Sequence, residues 1–243
     1  MPAGPDIERN RCPGLVVYAN AAHGLPFVID AAGMAINPIA RPEPMPLIRF
    51  RDIPAAAWKN GLGLTWEIAV DADPIAQSPF RWRLSRARIT ESSLFSAYPG
   101  VRRWLALAAG GALEMRIDTL PPRALERPGQ WLSFDGGARV ESVPLDGVVE
   151  DFNLMVADPA LDAEMLHRPL TGSMVLVPES GCITALHLLD GQALLQGDKP
   201  IRVGPGDTVL IRGDRPGASI ERVVGSGAAL VIRIFPRGSV QSG

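Results

Sequence analysis

From Leu47 onward, short apolar runs are separated by turn residues, and several of them alternate apolar and polar positions with a period of two, as half-buried strands do. The stretch 80–89, FRWRLSRARI, shows this most plainly: Phe80, Trp82 and Leu84 alternate with Arg81, Arg83 and Ser85. LIRF (47–50), LTWEIAV (64–70), RWLALAA (103–109), ALEMRI (112–117), WLSF (131–134) and RVESVPL (139–145) complete a first series. A second series runs through SMVLVP (173–178), CITALHLLD (182–190), ALLQ (193–196), IRV (201–203), DTVLIR (207–212) and AALVIRIF (228–235). Helical periodicity is weak. The best helix candidates are 51–56, with Asp52 as an N-cap, and 151–168, which Pro159 interrupts.

Turn chemistry supports strands. Gly110-Gly111 joins two apolar runs in the manner of a hairpin, and Gly191 separates two more. Pro128-Gly129-Gln130 and Gly204-Pro205-Gly206-Asp207 each feed an apolar strand, in corresponding places of the two series. The expected fold is all-β: two jelly-roll or cupin-type barrels with few short helices. The first is expected over 47–150 and the second, with its connecting segment, over 151–243. Residues 1–46 stand apart, with prolines at 2, 5, 13, 26, 38, 42, 44 and 46 and only two candidate strands, LVVYA (15–19) and FVI (27–29). They read as a loosely ordered extension, or as residues upstream of a natural start at Met45.

Composition narrows the function classes. The formal net charge is −2, from 24 Lys and Arg against 26 Asp and Glu, which argues against nucleic acid as a partner. No apolar span long enough to cross a membrane and no leader pattern is present, so a cytoplasmic protein is expected. Cys12 and Cys182 have no disulfide spacing. The three histidines, His23, His167 and His187, are far apart and lie in no ligand-like pair, so neither metal nor other cofactor is expected. Gly61 and Gly63 open no phosphate-binding helix.

The remaining chemistry is a polar constellation in the first series. Trp58, Lys59, Asn60, Thr65 and Glu67 fall close together; Ser85, Ser96, Arg103, Asp151 and Asn153 follow at intervals. A cation, amides and hydroxyls gathered at a barrel mouth would suit a small carboxylate through charge-assisted hydrogen bonds. Taken singly, each has a plainer role: Glu67 paired with an arginine, Ser85 on a polar strand face, Asp151 capping a helix.

The segments WKNGLGLTWEIAV, FRWRLSRARI, FSAYPGVRRWLAL, FDG (134–136) and LDGVVEDFNLMV, in this order, resemble the HutD/Ves family of bacterial cupin-like proteins. The resemblance extends from about Leu47 to about Phe235. It implies a bicupin without the usual cupin metal. It further implies association with histidine utilisation, binding of a pathway carboxylate such as urocanate or formylglutamate, and no assigned enzymatic activity. Carried over by position, the pocket would contain Lys59, Asn60, Thr65, Glu67, Ser85, Ser96, Asp151 and Asn153, with Trp58 and Trp66 as walls. Two positions depart from the family's pattern: Leu62 replaces a usual glycine, and Trp66 a usual arginine. Arg86 is a candidate to restore that charge if it shares a cavity with residue 66, although alternation sets it opposite Ser85. Two rival readings remain. One is an isomerase or hydrolase with Glu67 or Asp151 as general base beside Lys59. The other is a homodimerisation module that uses exposed barrel edges.

Overall fold

A computed structural model describes residues 28–29, 35–36, 47–58, 61–72, 78–196, 200–213 and 221–238. The chain divides into two compact units, Met1–Arg41 and Pro42–Gly243. In the first, β1 (Val28–Ile29) pairs antiparallel with β2 (Ala35–Ile36). The candidate strand at 15–19 lies outside the described residues.

The second unit is built almost wholly of strands. These are β3 (Leu47–Ile48), β4 (Ala55–Ala57), β5 (Gly63–Asp71), β6 (Trp82–Ile89), β7 (Ser93–Leu94), β8 (Arg102–Gly110), β9 (Leu113–Ile117) and β10 (Arg123–Leu125). They continue with β11 (Trp131–Asp135), β12 (Val140–Pro144), β13 (Val149–Val156), β14 (Leu161–Leu176), β15 (Ile183–Gln196), β16 (Ile201–Val203), β17 (Thr208–Arg212) and β18 (Glu221–Pro236). Neither helix candidate forms an α-helix. Residues 50–52 make a single 3-10 turn and 55–57 a strand, while 151–168 is divided between β13 and β14. No helix among the described residues is long and apolar enough to cross a membrane.

In the first barrel a six-stranded sheet (β11-β8-β13-β6-β5-β4) faces a four-stranded one (β10-β9-β12-β7). Their inner faces enclose a core of Ile89, Leu105, Leu107, Leu113, Met115 and Leu132. In the second barrel the long strands β14, β15 and β18 wrap around a core that includes Leu186, Leu188, Ala193, Leu195, Val223 and Val231. The outer face of the six-stranded sheet (Trp82, Leu84, Trp104, Phe152, Leu154) packs on the second barrel's Met165, Leu230, Ile232 and Ile234. The architecture is thus two cupin-type barrels back to back with a third, shared core between them.

Two expected boundaries shift. Asp151 to Val156 belongs to the first barrel's β13, so the division falls after Val156 instead of at 150. Leu47–Ile48 pairs with β17 and belongs to the second barrel's sheet. Gly110-Gly111 is not a hairpin: β8 pairs with β11 and β13, whereas β9 pairs with β10 and β12. It is a corner at which the chain passes from one sheet to the other. Gly110 has φ +92°, and a Cβ there would run into the Val148 carbonyl, so only glycine fits.

The second barrel repeats this plan. In the first, the Gly129 N–H donates to the Leu107 carbonyl at 2.8 Å, and the Leu107 N–H donates to Gln130 at 3.0 Å. In the second, Gly206 donates to Leu188 at 2.7 Å and Leu188 to Asp207 at 3.1 Å. The β8–β13 ladder shifts register between Glu150 and Asp151, and the β15–β18 ladder between Leu188 and Asp190. Gly191, with φ +79°, is the counterpart of Gly110, and a Cβ there would meet the Ser226 carbonyl. The two Pro-Gly turns therefore mark equivalent positions of two related barrels.

Candidate functional site

Alternation along the six-stranded sheet decides which side chains enter the first barrel. Asn153 is opposite both Ser85 and Leu105, Asp151 opposite Ala87 and Leu107, and Met155 opposite Arg83 and Arg103. Because side chains at every second position share a face, this register brings Arg83, Ser85, Arg103, Asp151 and Asn153 to the inner surface. Near the mouth they floor a cleft of about 450 Å³, also bordered by Trp58, Thr65, Phe95, Ser96 and Tyr98. A break in register between Glu67 and Ala69 in β5 and the one beside Asp151 flank the floor, where bulges commonly re-aim side chains.

Trp58 forms one wall. Its indole N–H donates to Thr65 Oγ1 at 2.7 Å, and its ring meets Phe95 edge-on with centroids 6.4 Å apart. The ring also lies close to the Gly63 Cα, where a Cβ would come within 2.8 Å of it and 2.6 Å of the Arg88 carbonyl. That close approach is the requirement behind the second glycine of the Gly61-Leu62-Gly63 turn.

The floor carries an unusual charge arrangement. Arg103, only 6% exposed, is sandwiched between Phe95 and Phe134, with its guanidinium 4.9 and 5.0 Å from the two ring centroids. One terminal nitrogen donates to Asn153 Oδ1 at 3.0 Å, and Asn153 Nδ2 donates to Asp151 Oδ1 at 2.7 Å. Among the described residues Arg103 Nε and Asp151 Oδ2 have no hydrogen-bond partner, although both atoms are buried. Burial lowers the Arg103 pKa to about 10. Burial also raises that of Asp151 to about 7, against the opposing pull of Arg103, Asn153, the Ala87 backbone and Arg86. Buried polar atoms without partners are uncommon in finished protein cores, and here they border a cleft.

Of the residues expected in the pocket, Trp58, Thr65, Ser85, Ser96, Asp151 and Asn153 border this cleft. Lys59 and Asn60 lie outside the described residues. Trp66 does not wall the site. It pairs with Arg86 on the reverse face, its ring 5.1 Å from Phe50 and beneath the Arg88 guanidinium. Arg86 shares that face, bonded to Glu150 at 2.8 Å and lying over Phe50, so it restores no charge to the cleft. Glu67 points toward the cleft's side of the sheet but is half exposed and bonded to Arg83 at 2.7 Å. Asp151 caps no helix; it is fully buried in a strand.

Arg103 was a member of the polar constellation but not of the residues carried over, and Arg83 entered neither group. The signal for Arg103 is its place at the head of the apolar strand RWLALAA, at the same alternation position as the inward-facing Leu105 and Leu107. His187 is buried between the barrels, 4.6 Å from the Phe152 ring, with Nδ1 2.8 Å from Thr208 Oγ1. Burial lowers its pKa to about 3, so it is neutral. Among the described residues no group of three His, Cys, Asp or Glu side chains could hold a metal ion.

The second barrel acts as an internal control. By the matched registers, Arg103, Asp151 and Asn153 correspond to Thr184, Ala229 and Val231, and Ser85 corresponds to Leu166. Ala229 and Val231 lie in that barrel's apolar core. The second barrel thus forms its apolar core without the buried cation, carboxyl and amide. At the matched positions, the buried cation, carboxyl and amide occur in the first barrel and not in the second.

The HutD family model matches residues 50–231. An uncharacterized 21.2 kDa protein in the hutC 3' region of Pseudomonas putida is 38% identical over 111 residues, which are 46% of this chain and 57% of that protein. Protein Ves of Citrobacter koseri is 34% identical over 107 residues, 44% of this chain and 54% of that one. The chain thus spans just over half the length of these curated relatives. Among solved structures, HutD from Pseudomonas fluorescens SBW25, in a formate condition, superposes with a TM-score of 0.68 at 25% identity, covering 80% of this chain and 100% of that one. A cupin 2 conserved barrel domain protein from Leptotrichia buccalis shares the fold alone, with a TM-score of 0.50 at 13% identity over 79% and 96% of the two chains.

Proposed function

The chain belongs to the HutD family, and from that premise we propose that its first barrel binds a small carboxylate metabolite and that the protein serves as a sensor in histidine utilisation. One observation carries this reading: a buried, aromatic-clamped arginine, whose Nε has no partner among the described residues, borders a polar cleft, and the matched position of the sister barrel is a threonine. A carboxylate bound there would supply the missing acceptor, and Ser85, Ser96 and Thr65 offer hydroxyls for its remaining polar groups. The cleft volume lies in the range of small-ligand sites. The Pseudomonas putida relative is named for its place beside hutC, which supports a ligand from histidine breakdown, with urocanate and N-formylglutamate as the first candidates.

A thermal-shift titration with both acids tests the reading, because a ligand that binds only the native state raises the melting temperature. Arg103→Met should abolish the shift. A shift of unchanged size in that variant would place the ligand elsewhere. A second reading, an isomerase or hydrolase with Asp151 as general base, is favoured by the rise of that carboxyl to about 7. Conversion of either acid followed by proton NMR, and stopped by Asp151→Asn, would support catalysis over sensing.

A further inference from the structure

We propose that Asp151 enters the ligand complex as the neutral acid and donates its proton from Oδ2 to the ligand's carboxylate, while Arg103 provides the charge. The site would then select carboxylates by taking one proton together with each anion. The inference rests on the carboxylate-binding reading above and adds a role for the second partnerless atom of the floor.

Asp151 Oδ1 accepts from Asn153 Nδ2 at 2.7 Å, and the amide oxygen of Asn153 accepts from Arg103 at 3.0 Å. The amide thus separates the carboxyl from the guanidinium and prevents a direct ion pair between them. Oδ2 remains buried, without a partner among the described residues, at a cleft where an anion is to be bound. Two carboxylates side by side in a buried place cannot both be charged, so one of them holds a proton. The apolar surroundings of Asp151 favour that proton remaining on its own oxygen, where it becomes a hydrogen-bond donor to the incoming anion.

Among the described residues the charged and titratable groups around Asp151 are few. On β8 the charge that acts on it is that of Arg103, joined to it through Asn153. On β6 the backbone of Ala87 and, through the sheet, Arg86 lie beside it, the latter neutralised by Glu150. Arg83, paired with Glu67, and Tyr98 stand further along the cleft and act on Arg103. Burial outweighs the cations and leaves the carboxyl titrating at about 7. Its counterpart in the sister barrel is Ala229, so the carboxyl is not required for the fold.

Calorimetric titration of the full chain with N-formylglutamate tests the proposal, because this acid does not itself titrate between about pH 6 and 8.5. At pH 8, the dependence of the binding heat on the buffer's ionisation enthalpy should show uptake approaching one proton per ligand, and at pH 5.5 none. The affinity should fall about tenfold per pH unit above neutrality. Asp151→Asn should bind with a pH-independent affinity and no proton uptake, since an amide N–H can replace the acid's donor. Proton release on binding, or an affinity in the wild-type chain that is flat or rising with pH, would overturn the role of Asp151 while leaving the cleft a carboxylate site. No binding at any pH would overturn both readings.

Discussion

Arg103 is a full charge held where the sister barrel has a threonine, and its surroundings determine what its removal costs. Replacing it with methionine removes the charge but keeps the aliphatic bulk between Phe95 and Phe134, so the fold should survive while carboxylate binding is lost. Asp151 gives a pH signature in the free protein. Its folded pKa is raised from 3.8 to about 7, so between these values the folded state holds a proton that the unfolded chain releases. Its contribution is fully present below about pH 4 and is lost as pH rises through neutrality. Asp151→Asn should therefore gain stability relative to wild type between pH 5 and pH 8, as urea denaturation at the two values will measure; an unchanged difference would mean that the carboxyl titrates normally. Arg86, on the other face of the same sheet, should behave in the opposite way to Arg103. Arg86→Ala leaves Glu150 with Arg88 as its remaining ion-pair partner and should cost about 1.5–3 kcal/mol of stability with carboxylate affinity unchanged. Trp66 shares that face, so its departure from the family's usual arginine bears on packing against Phe50 and not on ligand identity.

At the scale of elements, the glycines marked places where strands turn, but what each turn joined was not local information. Gly110-Gly111 has the composition of a hairpin, yet the strands on its two sides pair with other strands and not with each other, and the same corner recurs within the continuous strand β15 at Gly191. Hydrogen-bond partners are tertiary facts, and a two-residue link has the same composition whether the strands on either side pair or diverge. Gly63 links an element to the site. Gly63→Ala would set a methyl against Trp58 and the Arg88 carbonyl. The variant should lose at least about 1 kcal/mol and bind carboxylate more weakly, because the backbone carbonyl cannot yield and the Trp58 wall must. A variant as stable and as tight-binding as wild type would show that the wall is not fixed by this contact.

On the scale of the whole molecule, the shared core makes the two barrels one thermodynamic body. Trp82, Trp104 and Phe152 from the first barrel pack on Met165, Leu230 and Ile232 from the second. Chemical unfolding followed by tryptophan fluorescence and by circular dichroism should therefore give a single coincident transition. Leu230→Ala, at a fully buried position in that core, should lower stability by about 2–5 kcal/mol without splitting the transition. Separate midpoints for the two probes would mean that the barrels unfold independently.

Alternation, turn residues and the order of motifs were enough to determine the all-β class and the two strand series, because period-two burial and positive-φ glycines leave a direct imprint on local composition. The strand FRWRLSRARI even showed that Ser85 and Arg86 part company across the sheet. The tertiary structure alone decided which of the candidate residues meet. Register placed Thr65 in the cleft and Trp66 behind it, and diagonal contact across β8 and β13 joined Arg103 to Asn153 and, through it, to Asp151. Burial, which depends on every layer packed above a residue, then changed Asp151 from one more acidic residue in a strand into a carboxyl that titrates near neutrality.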